Sequence, residues 1–201
     1  TSAWYYNTVK SSYELGIFNG TSDTKFSPDK ELTLIEIIAL MARIHAAYYG
    51  NEIKETAYDD AWYSKYGEYV SRNITNETNT DNFSYAVSRA EFVHLMSMTL
   101  PSSEFGRIND ISDGQIPDIN SCDSKTRSEI YMFYRAGILS GNDAYGTFSP
   151  NSNITRVQVA AIISRMIDPS QCQHFTLKEQ RASLSNWLGN WKSDTYRIGF
   201  T

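Results

Sequence analysis

The chain of 201 residues has no long hydrophobic run. No stretch approaches the roughly 18 apolar residues that cross a bilayer, so no membrane-spanning helix is expected. It also lacks a block of like charge. Eighteen basic and 23 acidic residues leave a formal charge of −5, without the basic stripe of a nucleic-acid binder, so no nucleic-acid partner is expected. Histidine is scarce, and His45, His94 and His174 show neither i, i+4 pairing nor a cysteine at metal spacing, so neither a metal nor a cofactor is expected. No Gly-x-Ser-x-Gly, phosphate loop or dinucleotide fingerprint appears, which argues against an enzyme. Asn109–Gly114 faintly resembles a cation loop but lacks the distal Glu of the twelve-residue calcium loop, and it reads as a connector. Cysteine is limited to Cys122 and Cys172. Two readings stay open for them: a disulfide closing the stretch between them, or two unpaired thiols. No secretory signal opens the chain at Thr1-Ser2-Ala3-Trp4, which says little of location because a leader can be removed.

What is present is an ordinary globular composition, with 41% hydrophobic and 20% charged residues, so a packed core rather than disorder is expected. Fourteen tyrosines and four tryptophans exceed what a core of this size hides, so part of the surface is aromatic. The most informative pattern is a device used three times. Thr33-Leu34-Ile35-Glu36, Ser88-Arg89-Ala90-Glu91 and Thr155-Arg156-Val157-Gln158 each place a hydroxyl three residues before an acid or amide, and an apolar run follows. This is a capping box, in which the hydroxyl accepts from a first-turn N–H and the acid or amide reaches back to the cap's own N–H. Glu36 and Glu91 are therefore read as capping groups, not catalytic carboxylates.

The surroundings of the boxes repeat too. A helix over 4–15 ends at Gly16, followed by Ile17-Phe18-Asn19-Gly20 and Phe26-Ser27-Pro28. A helix over about 125–136 ends at Gly137, followed by Ile138-Leu139-Ser140-Gly141 and Phe148-Ser149-Pro150. Seven residues separate Phe26 from Thr33 and Phe148 from Thr155. The middle copy is more worn. A helix from Asp59-Asp60-Ala61-Trp62 to about Ser71 meets Asn73-Ile74, with Asn expected to take the left-handed stop. Phe83-Ser84-Tyr85 replaces Phe-Ser-Pro, five residues before Ser88. Aligning the capped helices puts Ile37, Phe92 and Val159 at one core level. Leu40, Leu95 and Ile162 form the next, beside Met41, Met96 and Ile163. One helix–loop–helix cannot bury such a face alone, so the expected fold is all-α: three repeats, 1–50, 55–101 and 108–169, forming one domain.

These motifs resemble the S-layer homology family, over about residues 3–169. The third copy carries Ile116-Pro117-Asp118, Ala136–Gly141, Gly146–Pro150 and Ile154-Thr155-Arg156; the second carries Tyr58–Trp62 and Val87–Glu91; the first carries Trp4, Leu15–Gly20 and Leu32-Thr33. The resemblance implies a pseudo-threefold, three-pronged bundle, a monomer with internal symmetry. It implies non-catalytic attachment of an extracellular bacterial surface protein to secondary cell-wall polysaccharide linked to peptidoglycan, often pyruvylated. The alternative is a degenerate tandem serving as a structural or protein-interaction module.

The residues matching the family's binding positions are Arg89 and Arg156, Asp59 and Asp118, and Trp62 and Trp4. A guanidinium near a helix N-terminus suits a carboxylate, and an indole suits a sugar ring. The first copy has Leu34 in place of the arginine, so fewer than three working sites are expected. Two combinations are open: all groups from one copy, as Asp59, Trp62 and Arg89, or the arginine of one copy with the opening of the next, which joins Arg89 to Asp118 and sets Leu34 against Asp59 and Trp62. Beyond the repeats, Thr176-Leu177-Lys178-Glu179 predicts a C-terminal helix to about Leu188, with Leu177 packed on the bundle. Gly189-Asn190-Trp191 reads as the start of a further domain, so 170–201 is assigned to that helix and the beginning of that domain.

Overall fold

The structure, a computed structural model, describes residues 6, 9, 10, 13, 16–18, 25–55, 61–77 and 83–179. It is mainly helical, as the periodicity predicts. The helices are α1 (Leu34–Tyr49), α2 (Ser64–Asn73), α3 (Arg89–Ser97), α4 (Ser124–Arg135) and α5 (Arg156–Ile167). Of the predicted helix over 4–15, the described residues Tyr6, Val9, Lys10 and Tyr13 are helical, and the remainder lies outside the described residues.

Local chemistry starts α1, α3 and α5 where the boxes place them. The Glu36 carboxylate accepts from the Thr33 N–H at 3.0 Å, and the Gln158 side-chain oxygen accepts from the Thr155 N–H at 3.2 Å. At α3 the box is modified. The Glu91 N–H donates to Ser88 Oγ at 3.2 Å, while the Glu91 carboxylate takes up the Tyr85 hydroxyl. Tyr85 stands two residues before Val87 as Lys30 does before Leu32, and its hydroxyl donates to the Glu91 carboxylate as the Lys30 ammonium does to that of Glu36.

The apolar faces of these helices meet as aligned. Ile37, Phe92, Val159, Met41, Met96 and Ile163 are fully buried, and Leu40, Leu95 and Ile162 nearly so. Burial of such side chains contributes about 1.5–3 kcal/mol each.

Just before each helix the three segments are stitched in a ring. The Leu32 N–H donates to the Ile154 carbonyl at 3.1 Å, the Ile154 N–H to the Val87 carbonyl at 2.9 Å, and the Val87 N–H to the Leu32 carbonyl at 2.9 Å. All three side chains are buried. Every donor in the ring finds its acceptor in another segment, so buried backbone polarity is satisfied only when all three are assembled.

A second set of bonds joins each helix to a neighbouring loop. The Leu34 and Ile35 N–H groups donate to the Tyr85 and Phe83 carbonyls, those of Arg89 and Ala90 to Ser152 and Pro150, and those of Arg156 and Val157 to Lys30 and Pro28. These are first-turn donors with no intrahelical partner. Loop carbonyls consume them in all three places. The docked loops carry Ser27 and Ser149 at φ 54° and 59°, a left-handed conformation uncommon outside glycine.

Two expectations need correction, and one pair of open readings is decided. Asn73 does not take a left-handed stop. It remains the last residue of α2, and its side-chain amide donates to the Tyr69 carbonyl at 2.8 Å, bonding the helix end without a positive φ. The described start of the C-terminal helix is not helical: residues 172–179 carry no regular structure. The N–H groups of Gln173, Phe175 and Lys178 instead bond Gly137 O, Asn109 Oδ1 and Ala144 O at 2.9, 3.1 and 2.8 Å. Donors spent on the third segment are unavailable to a helix. Leu177 does pack on the core from this strap, while residues 180–201, with Gly189–Trp191, lie outside the described residues. Cys122 and Cys172 are free, half-buried thiols, so the disulfide reading falls; burial pushes both up from the ordinary thiol pKa.

Candidate functional site

Arg89 and Arg156, the first residues of α3 and α5, occupy equivalent environments. Arg89 Nε donates to the Phe148 carbonyl at 2.8 Å, with the guanidinium 5.0 Å from the Phe148 ring. Arg156 Nε donates to the Phe26 carbonyl at 2.8 Å, with its guanidinium 4.7 and 5.0 Å from the Phe18 and Phe26 rings. Both residues are buried, at 6% and 5% exposure. Burial pulls both below the ordinary arginine pKa, opposed at Arg89 by Tyr134 and Asp118 and at Arg156 by Glu36. Each arginine therefore clamps the loop of another segment, with a charge-assisted bond and a stacked ring.

Asp118 serves the same loop from the other side. Its two carboxylate oxygens accept from the Phe148 and Ser149 N–H groups at 2.9 and 2.6 Å. Arg89 and Asp118 thus converge on Phe148, as the second of the two expected combinations has it, and both are engaged in holding it. Asp59 and Trp4 lie outside the described residues.

Trp62 goes elsewhere. It stands 53% exposed at the edge of a cleft of about 210 Å³ that runs along α1. Arg156, Glu36, Arg43, Phe18 and Leu40 share the lining with it. The cleft thus draws α1 from the first segment, the indole from the middle one and the guanidinium from the third. Neither expected combination contains that arrangement.

The electrostatics of the cleft follow from its pairings. Glu36 lies 2.9 Å from Lys30 Nζ and 3.9 Å from Arg156 Nη1. Burial alone would raise the Glu36 pKa, but the Thr33 N–H and the Lys30 ammonium outweigh it and hold the carboxyl below its ordinary value. Arg43 donates from Nη1 to the Ile17 carbonyl at 3.2 Å and from Nη2 to the Tyr66 hydroxyl at 2.9 Å. Two guanidiniums face one carboxylate, beside an exposed indole.

The corresponding cleft along α3 is built differently. Glu91 and His94 face Cys122, Asp123 and Thr126 of the third segment across about 380 Å³. His94 Nδ1 lies 2.9 Å from Glu129, and its Nε2 lies 3.5 Å from Glu77. This cleft is acidic and does not suit an anion. The connector reading of Asn109–Gly114 holds: Asn109 is buried and its amide donates to the Tyr134 and Gln173 carbonyls, while Asp110 pairs with Arg107 and Asp113 with Arg135.

Arg43 and Phe18 were not among the sequence candidates. A signal for Arg43 existed, because Arg165 stands at the same offset from its cap, and Arg165 Nη1 donates to Ile138 O at 2.9 Å as Arg43 does to Ile17 O. The offset marks the structural role of the pair; that only Arg43 borders the α1 cleft is a matter of assembly.

No curated protein matches the chain. Residues 1–38 and 115–160, in the first and third segments, match the S-layer homology domain, a family whose members in general anchor surface proteins to cell-wall polymers.

Proposed function

We propose that this chain is a non-catalytic anchor that holds its parent protein on an anionic secondary polysaccharide of the bacterial wall, outside the cell. The observation that carries the reading is the α1 cleft, where Trp62 offers an apolar face to a sugar ring and Arg156 and Arg43 supply positive charge. A pyruvyl ketal, which fixes a carboxylate on a sugar ring, has the chemistry this set accepts. Trp62 and Arg156 are the proposed contacts, with Asp59 and Trp4 as further ones. Arg89 and Asp118 would act by holding the Phe148 loop. The middle segment is taken as a worn third repeat, and the ring of Leu32, Val87 and Ile154 as the axis of one pseudo-threefold, three-pronged domain. The chain would act as a monomer.

A second reading, a structural or protein-interaction module without glycan binding, is favoured by the burial of Arg89 and Arg156 and their bonds to loop carbonyls. Co-sedimentation with native walls, and with walls stripped of their secondary polymer, separates the two. Pelleting with native walls alone is the expected result. Absence of pelleting with either preparation leaves the second reading in place.

A further inference from the structure

We propose that a second saccharide site lies on the outer face of α4, in a cleft of about 390 Å³ between that helix and residues 113–120, and that it takes a carboxylate-bearing sugar. The choice of a sugar rests on the wall-binding reading; the site itself is separate from the α1 cleft. Its lining contains Arg127, Arg135, Asp113, Asn120, Ser124 and Tyr131.

Charge in this cleft is divided unequally. Arg135 is committed: Nε donates to the Ile111 carbonyl at 2.9 Å, Nη2 pairs with Asp113 at 2.8 Å, and the guanidinium stacks 5.0 Å from the Tyr131 ring. The Tyr131 hydroxyl accepts from the Gly114 N–H at 2.6 Å, which fixes the wall of the cleft. Arg127 is half-buried, and among the described residues its guanidinium makes no hydrogen bond or ion pair. The Asn120 amide and the Ser124 hydroxyl are likewise without a side-chain partner among the described residues.

The corresponding helix of the middle segment carries its cations paired. On the polar face of α2, Arg72 pairs with Glu68, and Lys65 pairs with Glu55 at 2.6 Å. Around Arg127 the cleft is lined instead by Ser124 and Ser128 of α4 and by Asn120 of the preceding loop. The result is one uncompensated guanidinium, able to hold a carboxylate through two parallel bonds, flanked by an amide and a hydroxyl suited to sugar hydroxyls. A single net positive charge fits one carboxylate per sugar rather than a phosphate-dense polymer. The volume lies at the lower end of small-ligand pockets, about 300–1,000 Å³.

The test is a titration of the full chain followed by NMR of backbone amides, arginine Nε–Hε groups and tryptophan indoles. The probes are an oligosaccharide of alternating glucuronic acid and N-acetylglucosamine, its carboxyl-reduced form, and inorganic phosphate. We expect the acidic oligosaccharide to shift Arg127 Nε–Hε and the amides around Tyr131, and to do so equally in Trp62→Ala. Arg127→Gln should weaken this response about ten-fold, the loss of one charge-assisted hydrogen-bond pair, with no change in thermal midpoint. Shifts confined to the Trp62 indole and α1 would overturn the site and leave the wall-binding reading standing. An equal response to the carboxyl-reduced form, or to phosphate alone, would overturn the acidic-sugar assignment. No shift at either cleft, together with no pelleting, would remove both.

Discussion

The α5 and α1 junctions accept a loop by the same two backbone bonds, from Arg156 and Val157 in one and from Leu34 and Ile35 in the other. Only the first adds a guanidinium, laid against Phe18 and Phe26 and bonded to the Phe26 carbonyl. Docking of a loop on a helix start therefore does not need the arginine. What the arginine adds is a charge brought to the border of a cleft, at the cost of burying it. The α3 junction sharpens the point: Arg89 makes the same bond to Phe148, and Asp118 reinforces that loop from the other side.

The first and third segments also differ in what surrounds their helix-ending glycines. Gly16 and Gly137 have φ near 70° in both. A Cβ at Gly16 would meet no described residue within 4 Å, whereas one at Gly137 would lie 2.5 Å from the Gln173 carbonyl oxygen, where the C-terminal strap crosses. Gly137→Ala should cost about 3 kcal/mol or more, combining left-handed strain with a backbone collision. Gly16→Ala should cost about 1 kcal/mol, from strain alone. Equal midpoints in denaturant unfolding of the two variants would show that the strap does not hold Gly137 as described.

Copying the α1 junction onto α5 comes next in size. Arg156→Leu removes a charge-assisted donor from the Phe26 carbonyl and should cost about 2 kcal/mol in urea unfolding. It should also reduce wall pelleting about ten-fold, if the charge at the cleft border is used for binding. Stability loss with unchanged pelleting would assign Arg156 to the loop clamp alone. Trp62→Ala is the complementary variant. Its indole is mostly exposed, so the stability change should stay within about 0.5 kcal/mol. Pelleting should fall about ten-fold through loss of the stacking face. The two variants separate holding the fold from holding the ligand.

The smallest effect compares the two capping boxes. Glu36 at α1 has its pKa held below the ordinary value near 4.5, with burial opposing and the Thr33 N–H and Lys30 prevailing. A depressed carboxyl stabilises the fold above the unfolded-state pKa, and that contribution is lost as pH falls through the folded-state value. The stability difference between the native chain and Glu36→Gln should therefore be constant above about pH 5 and shrink on acidification. Gln158, an amide at the same position of α5, gives its box no such dependence, so Gln158→Ala should show a pH-independent difference. A difference for Glu36→Gln that grows below pH 4.5 would contradict the assigned direction.

Much of this was legible residue by residue. Thr33, Ser88 and Thr155 announced helix starts because a cap and its partner lie three residues apart, within reach of each other before anything else folds. Ile37, Phe92 and Val159 announced the core because helical periodicity puts one stripe on one side. The errors occurred where a competing hydrogen bond won, a local one at Asn73 and distant ones around Thr176. Asn73 looked like a left-handed stop until its amide found the Tyr69 carbonyl, and Thr176 looked like a cap until the 173–178 donors were taken by the third segment.

By itself, then, the sequence determined the helical class, the starts of the three helices with capping boxes at Thr33, Ser88 and Thr155, and the residues of the buried stripe, because those depend on contacts three and four positions apart. Only the tertiary structure decided that Trp62 stands with Arg156 and Arg43 rather than with Arg89 or Leu34, and that Arg89 and Asp118 share the Phe148 loop. Those neighbours are set by backbone bonds such as Leu32 to Ile154 and Val87 to Leu32, which join residues far apart in the chain. A periodic pattern states which face of a helix is apolar; it does not state which of three similar segments that face will meet.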